Sequence, residues 1–253
     1  PKPDYHFSIN TSTHATMTAQ MQEGIEQAIL KEKPDTILVY GDTNSTLAGA
    51  LAASKLHMPV SHVEAGLRSF NMDMPEEVNR ILTDRVSKQL FCPTETAIQN
   101  LKNEGLATPD KLVVNTGDVM YDAALYYAKQ IAQHSTILQQ LGLEDDKYLL
   151  ATCHRAENTD DKARLTAIVD AINELTKQFK IVLPLHPRTR KMIEQYHLQL
   201  DCIVINPVGY FDMLSLLKHS HLVLTDSGGL QKEAYFFNKH CVTLRDQTEW
   251  VEL

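Results

Sequence analysis

The stretch from Thr36 to Arg80, TILVYGDTNSTLAGALAASKLHMPVSHVEAGLRSFNMDMPEEVNR, contains the pattern that decides the fold class. Two short apolar segments, Thr36–Tyr40 and Pro59–Val63, have the length and apolar content of buried strands. A segment of small residues from Ser45 to Leu56 separates them and is typical of a crossover helix. A strand, a helix and a second strand in this order predict a parallel α/β sheet.

Acidic residues follow both predicted strands. Asp42 comes just after the first strand, Glu64 comes directly after the second, and Pro75 opens a helix that carries Glu76. In a parallel sheet with helical crossovers, ligands lie beyond the carboxyl ends of the strands. We therefore expect Asp42, Glu64 and Glu76 around one cleft, where three carboxylates are candidates for acid/base chemistry.

Each of these carboxylates also has an interpretation that involves no chemistry. Asp42 precedes a helix and is suited to capping it. Glu64 is suited to a structural ion pair with Arg68, because a carboxylate at a strand end needs a partner. Glu76 and Glu77 begin a helix, where the helix dipole favours acids. The residues by themselves leave these alternatives open.

Composition excludes several classes of function. The net charge of −8 over 253 residues argues against a nucleic-acid surface, which needs a basic face. No apolar run approaches the roughly 20 residues of a membrane helix, and the first residues do not resemble a signal peptide. The four cysteines are widely spaced without a C-x-x-C pair. We expect buried free thiols in a reducing cytoplasm rather than disulfides or zinc.

The alternation of strands and helices continues to the end of the chain. A polar segment over residues 133–147 is the best linker candidate, so the sequence predicts an N-terminal domain over residues 1–140 and a C-terminal domain over residues 141–253. The chain stops immediately after a strand, without the covering helix that such a domain usually has. We therefore expect sequence to be missing at both ends.

Histidines follow two strands of the second domain. His154 and Arg155 lie in TCHRAEN, and His186 lies in LPLHPR. Histidine suits acid/base work or phosphate binding, and arginine suits phosphate geometry. A single histidine of this kind is more often a loop residue without a function. Two of them at equivalent strand ends favour a cleft.

The segment Thr225–Ala234, TDSGGLQKEA, is the strongest single motif. A strand leads into Ser227, Gly228 and Gly229, which open a helix whose free N–H groups suit a diphosphate. Glu233, one turn later, is suited to ribose hydroxyls. The alternative is an Asp-Ser-Gly turn without a ligand. The motif is neither the P-loop nor G-x-G-x-x-G, which counts against kinase and dinucleotide functions.

The motifs together resemble one family, the non-hydrolysing UDP-N-acetylglucosamine 2-epimerases. The resemblance covers Lys33 to Glu252 and rests on YGDTNST, HVEAGLRS, PEEVNR, FCPTE, TCHRAEN, LPLHPR, TDSGGLQKEA and LRDQTEW in this order. It implies an α/β fold with two Rossmann-like domains of the glycosyltransferase-B type, and a UDP-sugar in the cleft between them. It also implies that the first domain lacks its first strand with the phosphate loop, and that the second lacks its last helices.

The resemblance implies a reaction course and a set of residues. UDP leaves C1 by anti elimination as the C2 proton is removed, and it then adds back with the proton delivered to the opposite face. Neither a cofactor nor a metal is implied. The matched catalytic residues are Asp42, Glu64, Glu76 and His154. The matched or expected substrate-binding residues are Arg80, Arg155, His186, Tyr210 in the uracil loop Pro207–Phe211, Ser227, Gly228, Gly229 and Glu233.

The resemblance implies UDP-N-acetylglucosamine as the substrate, the epimer UDP-N-acetylmannosamine as the product, a role in surface polysaccharide precursors, and a homodimer. The wording of several segments is also similar to the branch that acts on UDP-2,3-diacetamido-2,3-dideoxyglucuronic acid. The extra carboxylate of that sugar needs a cation, for which Arg68, Arg80 and Arg188 are candidates. The other functions that remain open are a glycosyltransferase, a hydrolysing epimerase and a UDP-sugar-binding fragment without catalysis.

Overall fold

A computed structural model describes residues 2–11 and 13–246 of the chain. The strands are β1 (Ile37–Tyr40), β2 (Val60–Val63), β3 (Gln89–Cys92), β4 (Leu112–Asn115), β5 (Tyr148–Thr152), β6 (Lys180–Pro184), β7 (Ile203–Ile205), β8 (Leu222–Thr225) and β9 (His240–Thr243). The helices are α1 (His14–Glu32), α2 (Asn44–Lys55), α3 (Pro75–Val86), α4 (Glu95–Asn103), α5 (Val119–Ala128), α6 (Ile131–His134), α7 (Ile137–Leu141), α8 (Ala156–Thr159), α9 (Lys162–Thr176), α10 (Pro187–Tyr196), α11 (Tyr210–Lys218) and α12 (Gly228–Phe236).

The first compact unit contains a parallel sheet in the order β1-β2-β3-β4. Helix α2 is the crossover between β1 and β2, and its alanines at positions 48, 50, 52 and 53 are fully buried. Small side chains let this helix approach the sheet closely: a Cβ at Gly49 would lie 3.2 Å from Val39 Cγ1. The predicted strand, helix and strand of this stretch are therefore confirmed.

The second unit contains a parallel sheet in the order β7-β6-β5-β8-β9. Strand β5 is central, and the chain adds β6 and β7 on one side of it before it returns to add β8 and β9 on the other. The strand order therefore reverses between β5 and β8. A crevice opens at such a reversal, beyond the carboxyl ends of the two strands.

The chain divides between Val119 and Met120. The boundary expected from the polar segment 133–147 lies later, between residues 140 and 141. The difference has a physical reason, because α6 and α7 occupy this segment and bury Ile131 and Ile137 in the same apolar cluster as Tyr148. The segment up to Leu141 belongs to these short helices and their caps, and the polar residues 144–147 form an exposed turn before β5 in the same unit.

The four cysteines are free thiols, as expected. Cys92 and Cys153 are buried, whereas Cys202 and Cys241 are half-buried. Among residues 2–11 and 13–246, the structure contains no helix with the length and apolar character needed to cross a bilayer.

Candidate active site

Asp42 lies in the turn after β1 and pairs with a buried arginine. Arg80 Nη2 of α3 is 2.6 Å from Asp42 Oδ2, and Asn79 Nδ2 donates to the Asp42 carbonyl at 2.9 Å. The helix that follows is capped by Thr43, whose hydroxyl accepts from the Thr46 N–H. Helix capping is thus not the role of the Asp42 carboxylate, which is directed toward α3.

Glu64 follows β2 with its backbone in the left-handed region, at φ 76°. Its N–H donates to the Phe91 carbonyl at 3.0 Å. Gly41 also has a positive φ of 65°, and a Cβ at this position would lie 3.4 Å from Glu64 Oε2. Left-handed backbone at a residue other than glycine costs of order 1–3 kcal/mol and is typical of functional sites. The two turns thus bring the Glu64 carboxylate beside the backbone that leads into Asp42.

Arg68, the ion-pair partner considered for Glu64, binds two other carboxylates. The Arg68 guanidinium is buried and binds Asp84 at 2.8 Å and Glu104 at 2.6 Å. These contacts also remove Arg68 as the cation for an extra substrate carboxylate. Arg80 is only 2% exposed and binds Asp42 and Glu77, so it does not present a free guanidinium either.

Glu76 and Glu77 both lie in the first turn of α3, but their surroundings differ. Glu77 is fully buried and accepts hydrogen bonds from the N–H groups of Ser69 and Phe70, each at 2.9 Å. Burial alone would raise the pKa of Glu77, but these N–H groups and Arg80 hold it below its ordinary value. Glu76 is exposed. Glu77 is therefore the structural acid, and Glu76 is the one accessible to a ligand.

The second unit has a pocket of about 330 Å³ at the reversal between β5 and β8. It is lined by the ends of these strands, the loop before α11 and the start of α12. Six predicted residues lie in its wall, namely His154, His186, Tyr210, Ser227, Gly229 and Glu233. The wall also contains Pro207 and Val208 of the loop that the resemblance assigns to uracil.

Asp226, directly after β8, connects the two loops beside this pocket. Its carboxylate is completely buried and accepts from the backbone N–H groups of His154 and Arg155, each at 2.9 Å, and from Asn158 Nδ2 at 3.1 Å. A carboxylate that accepts several N–H bonds is well compensated for its burial. Asp226 thereby fixes the loop after β5 against the loop after β8.

Ser227 is the N-cap of α12, with its hydroxyl accepting from the Leu230 N–H at 3.3 Å. The helix starts at Gly228, and Gly229 faces the pocket. A Cβ at Gly229 would meet only ordinary contacts at 3.8 Å, with Met120 and Ser227. The protein itself therefore leaves room beside the first N–H groups of α12, where an anion is favoured.

Burial dominates the electrostatics of the pocket. Burial lowers the pKa of His154. The Asp226 carboxylate opposes this decrease, and His186 adds to it. Burial also raises the pKa of Glu233. It raises the pKa of Tyr210 to about 12, and the neighbouring Glu233 carboxyl contributes to that rise. The tyrosine hydroxyl donates a hydrogen bond to the Glu233 carboxyl. This pocket therefore favours neutral polar groups beside its apolar wall, together with the positive end of α12.

Three candidates from the sequence in this unit lie outside the pocket wall, namely Arg155, Arg188 and Gly228. Arg155 is half-buried, and its Nε donates to the Asp226 carbonyl at 2.9 Å. Arg188 forms an ion pair with Asp160 and donates from Nε to Thr159. Gly228 is buried at the first position of α12.

Several residues of both units were not predicted. Asp226, Asp84 and His62 are buried and polar, and Met120 lines the pocket from α5. Asp226 had a signal in the sequence, because it separates an apolar strand from a Ser-Gly-Gly helix start. Met120 had none, since only the packing of α5 brings it to the pocket.

Comparison with known proteins agrees with this geometry. A family model described as UDP-N-acetylglucosamine 2-epimerase matches residues 1–253. The chain is 61% identical over 254 residues to the UDP-2,3-diacetamido-2,3-dideoxy-D-glucuronate 2-epimerase of Pseudomonas aeruginosa, with 100% of the chain and 70% of the relative covered. It is 45% identical over 258 residues to a UDP-N-acetylglucosamine 2-epimerase of Methanococcus maripaludis, with 98% and 70% covered.

Solved structures show the same likeness. The Methanocaldococcus jannaschii UDP-GlcNAc 2-epimerase, solved with UDP-GlcNAc and UDP, has a TM-score of 0.89 at 44% identity, covering 100% of this chain and 71% of that one. The Neisseria meningitidis enzyme bound to UDP-GlcNAc has a TM-score of 0.88 at 34% identity, covering 99% and 71%. The expected fold class, α/β of the glycosyltransferase-B type, is confirmed. Because the family model matches residues 1–253 of this chain, the chain belongs to the UDP-N-acetylglucosamine 2-epimerase family.

Proposed function

We propose that the protein is an isomerase that inverts C2 of a UDP-sugar carrying a 2-acetamido group. The observation that carries this proposal is the family match over all 253 residues. The arrangement of the residues supports it, because acidic groups follow the strands of one unit and a pocket with a helix N-terminus occupies the other. No oxidant is required, since elimination and re-addition leave the oxidation state of the sugar unchanged.

The degree of identity favours one of the two expected substrates. The relative that is 61% identical is named for UDP-2,3-diacetamido-2,3-dideoxy-D-glucuronate, whereas a relative named as a UDP-N-acetylglucosamine 2-epimerase homolog is 52% identical and two named as UDP-N-acetylglucosamine 2-epimerases are 45% identical. We therefore place the diacetamido-glucuronate first and UDP-N-acetylglucosamine second. Arg68 and Arg80 are the weaker candidates for the cation that meets the extra carboxylate, because both already form buried ion pairs.

The nucleotide is assigned to the pocket of the second unit. The diphosphate would lie at the start of α12, where Ser227, Gly228 and Gly229 leave room and the helix dipole is positive. Uracil would lie against the loop before α11, beside Tyr210. Glu233 would accept hydrogen bonds from the ribose hydroxyls, which gives a role to a buried acid in the pocket wall.

The chemistry is assigned to the carboxylates of the first unit together with His154. Arg80 engages the Asp42 carboxylate, which favours a role for Asp42 in supplying fixed negative charge. Glu64 and Glu76 are then the groups that remove the C2 proton and return one to the opposite face. His154 lies in the wall of the pocket proposed for the nucleotide, where it suits the departing diphosphate.

The experiment that tests this function follows the C2 proton. The protein is incubated in D2O with UDP-2,3-diacetamido-2,3-dideoxyglucuronic acid and, separately, with UDP-N-acetylglucosamine, and NMR records the C2 signal. We expect exchange of the C2 proton with appearance of the epimer, faster for the diacetamido sugar. UDP binding without exchange would contradict the proposal and indicate a transferase or a binding protein. Free sugar with stoichiometric UDP would indicate a hydrolysing epimerase.

Three further properties belong to the same proposal. We infer a homodimer, which light scattering at several concentrations would test. We infer a cytoplasmic enzyme, in keeping with four free thiols and a nucleotide-sugar substrate. A supply of precursors for a surface polysaccharide follows from the nature of the product, and loss of that polysaccharide in a strain without the gene would test it.

A further inference from the structure

Four ionisable side chains, three of them buried and one half-buried, are linked to the turn that carries Asp42. We call them the His62 network: His62 of β2, Asp84 of α3, Arg68 and Glu104. His62 Nδ1 lies 2.7 Å from Asp84 Oδ1, and Arg68 Nη1 lies 2.8 Å from Asp84 Oδ2. Arg68 also binds both oxygens of Glu104, at 2.6 and 2.9 Å. None of these contacts is explained by the proposed chemistry, yet His62 and Asp84 are fully buried.

The second ring nitrogen of His62 also faces an acceptor. His62 Nε2 lies 2.8 Å from the carbonyl oxygen of Gly41. A carbonyl oxygen only accepts hydrogen bonds, so Nε2 carries a proton. A neutral imidazole has one donor and one acceptor nitrogen, and the state of Nδ1 therefore decides the charge of the ring.

The partner of Nδ1 is a carboxylate that already accepts from other donors. Asp84 Oδ2 receives the Gly66 N–H at 3.1 Å and Arg68 Nη1 at 2.8 Å. Oδ2 of Asp84 is therefore an acceptor for two donors. An ionised Asp84 has only acceptor oxygens, so Nδ1 of His62 carries a proton as well. The charges along the network then alternate: positive His62, negative Asp84, positive Arg68 and negative Glu104.

The position of His62 links this network to the candidate catalytic carboxylates. Gly41, whose carbonyl it holds, directly precedes Asp42, and Glu64 follows His62 by two residues along the chain. Asp84 lies on α3, the helix whose Arg80 binds Asp42. His62 therefore braces the turn after β1 against the helix that also carries Glu76.

The left-handed backbone on both sides shows why such a brace is needed. Gly41 and Glu64 have φ values of 65° and 76°, and the Glu64 carboxylate lies against Gly41. For a residue other than glycine, such as Glu64, backbone in this region persists only where surrounding contacts determine it. A charge-assisted hydrogen bond to the Gly41 carbonyl, about twice as strong as a neutral one, supplies such a contact without touching the substrate.

We propose that His62, doubly protonated between Asp84 and the Gly41 carbonyl, is a positioning residue that fixes the turn on which Asp42 and Glu64 are arranged. The effect on turnover rests on the proposed epimerase function. The claim about the ring itself does not, and the two are tested separately.

The ring is tested by NMR. In protein labelled with nitrogen-15 at histidine, the His62 ring, assigned by its loss in His62→Gln, is expected to show a bonded proton on each nitrogen at neutral pH. The exposed His240 of β9 serves as the control. A His62 ring with one unprotonated nitrogen would overturn the proposal.

The positioning role is tested by kinetics and by backbone NMR. In His62→Gln the side-chain amide donates from its NH2 group to only one of the two acceptors, and its oxygen cannot donate to the other. We therefore expect kcat for C2 exchange to fall roughly 100-fold, as misplacement of about 1 Å does. KM and UDP affinity should change far less, because the proposed nucleotide pocket lies in the second unit. His240→Gln should leave all three unchanged. Unchanged kcat in folded His62→Gln would refute the role.

A double-mutant cycle separates positioning from general destabilisation. If His62 and Asp84 act as one brace, His62→Gln with Asp84→Asn should lose no more turnover than the worse single variant. Losses that multiply would show that they act independently and would contradict the proposal. If the wild-type protein shows no C2 exchange, the proposed function fails, and the amide signals of Gly41 to Glu64 decide instead. They must shift in His62→Gln, and unshifted signals would overturn the brace.

Discussion

At the scale of single residues, neighbouring acids of the same type have opposite roles. Glu77 is buried in a net of N–H donors beside Arg80, whereas Glu76 is exposed at the start of the same helix. The charge of Glu77 is required by the fold, because its loss leaves a buried guanidinium with one carboxylate fewer. The exposed Glu76 carboxylate is the one proposed for proton transfer at C2.

This contrast gives the first prediction. Glu77→Gln should lower the free energy of unfolding by about 3–5 kcal/mol, as removal of one partner of a buried ion pair does. Glu76→Gln should leave stability within about 0.5 kcal/mol and lower kcat by roughly 100-fold or more. Urea unfolding and the C2 exchange assay measure the two effects. Equal effects of both variants on stability would contradict the assignment.

Glu233 provides a prediction on pH. Burial raises the pKa of Glu233 in the folded protein above the ordinary 4.5. At a pH between 4.5 and the folded-state pKa, the folded protein therefore binds more protons than the unfolded chain. The contribution of Glu233 to stability is therefore full below pH 4.5 and is lost as pH rises through the folded-state pKa.

Glu233→Gln should accordingly be more stable than wild type near pH 7, and the difference should vanish below pH 4.5. The same variant should bind UDP more weakly, since the proposed ribose acceptor is lost. Unfolding at a series of pH values and UDP titration calorimetry measure both. A stability difference that does not depend on pH would show that burial of the charge is not its cause.

At the scale of elements, the turn after β1 sets the position of two carboxylates. Gly41→Ala places a Cβ in the left-handed region, which costs roughly 1–2 kcal/mol, and brings it against Glu64 Oε2 at 3.4 Å. We expect lower stability together with lower turnover. Gly142→Ala is the matched control, because Gly142 has a φ of 59° but no atom within 4 Å of the added Cβ.

Both glycine variants should lose similar unfolding free energy in urea, and only Gly41→Ala should lose C2 exchange. If Gly142→Ala lost turnover to the same extent, the effect would come from general destabilisation rather than from displacement of Glu64.

The start of helix α12 matters both for stability and for the proposed binding of UDP. Ser227 caps it, so Ser227→Ala should cost about 1 kcal/mol of stability. It should also raise the Kd for UDP, because the diphosphate is assigned to the same helix start. Asp161→Ala removes the cap of α9 in the same unit and is the control. Calorimetry should show weaker UDP binding for Ser227→Ala alone, and equal affinities would remove Ser227 from the phosphate site.

At the scale of the whole molecule, nucleotide binding and catalysis are assigned to two units with separate sheets. The pocket assigned to the nucleotide lies wholly in residues that belong to the second unit, while three candidate catalytic carboxylates lie in the first. UDP at about 100 times its Kd should stabilise the state that binds it by about 2.7 kcal/mol.

Hydrogen exchange measures where this stabilisation acts. Amides of β5, β8 and the start of α12 should gain protection on UDP binding, whereas amides of β1 to β3 should not. Protection that appears first in β1 to β3 would contradict the assignment of the nucleotide to the second unit.

The sequence by itself determined the strands of both units and the longer helices between them, in the order in which they occur, but not the short helices α6 and α7. Apolar segments such as ILVY and the small-residue helix after them leave the chain few other choices, since their side chains must be buried. The strand-end positions of Asp42, Glu64, His154 and Ser227 followed from the same pattern. The motifs also led to the family that the comparisons then showed.

Only the tertiary structure decided which partners these residues meet. No local pattern pairs Arg68 with Asp84 and Glu104, brings α6 and α7 to the second core, or reverses the strand order between β5 and β8. Such contacts join residues far apart in the chain, and they are selected by how whole elements pack. The same holds for His62, which reads as an ordinary strand residue until Gly41 and Asp84 are seen on either side of its ring.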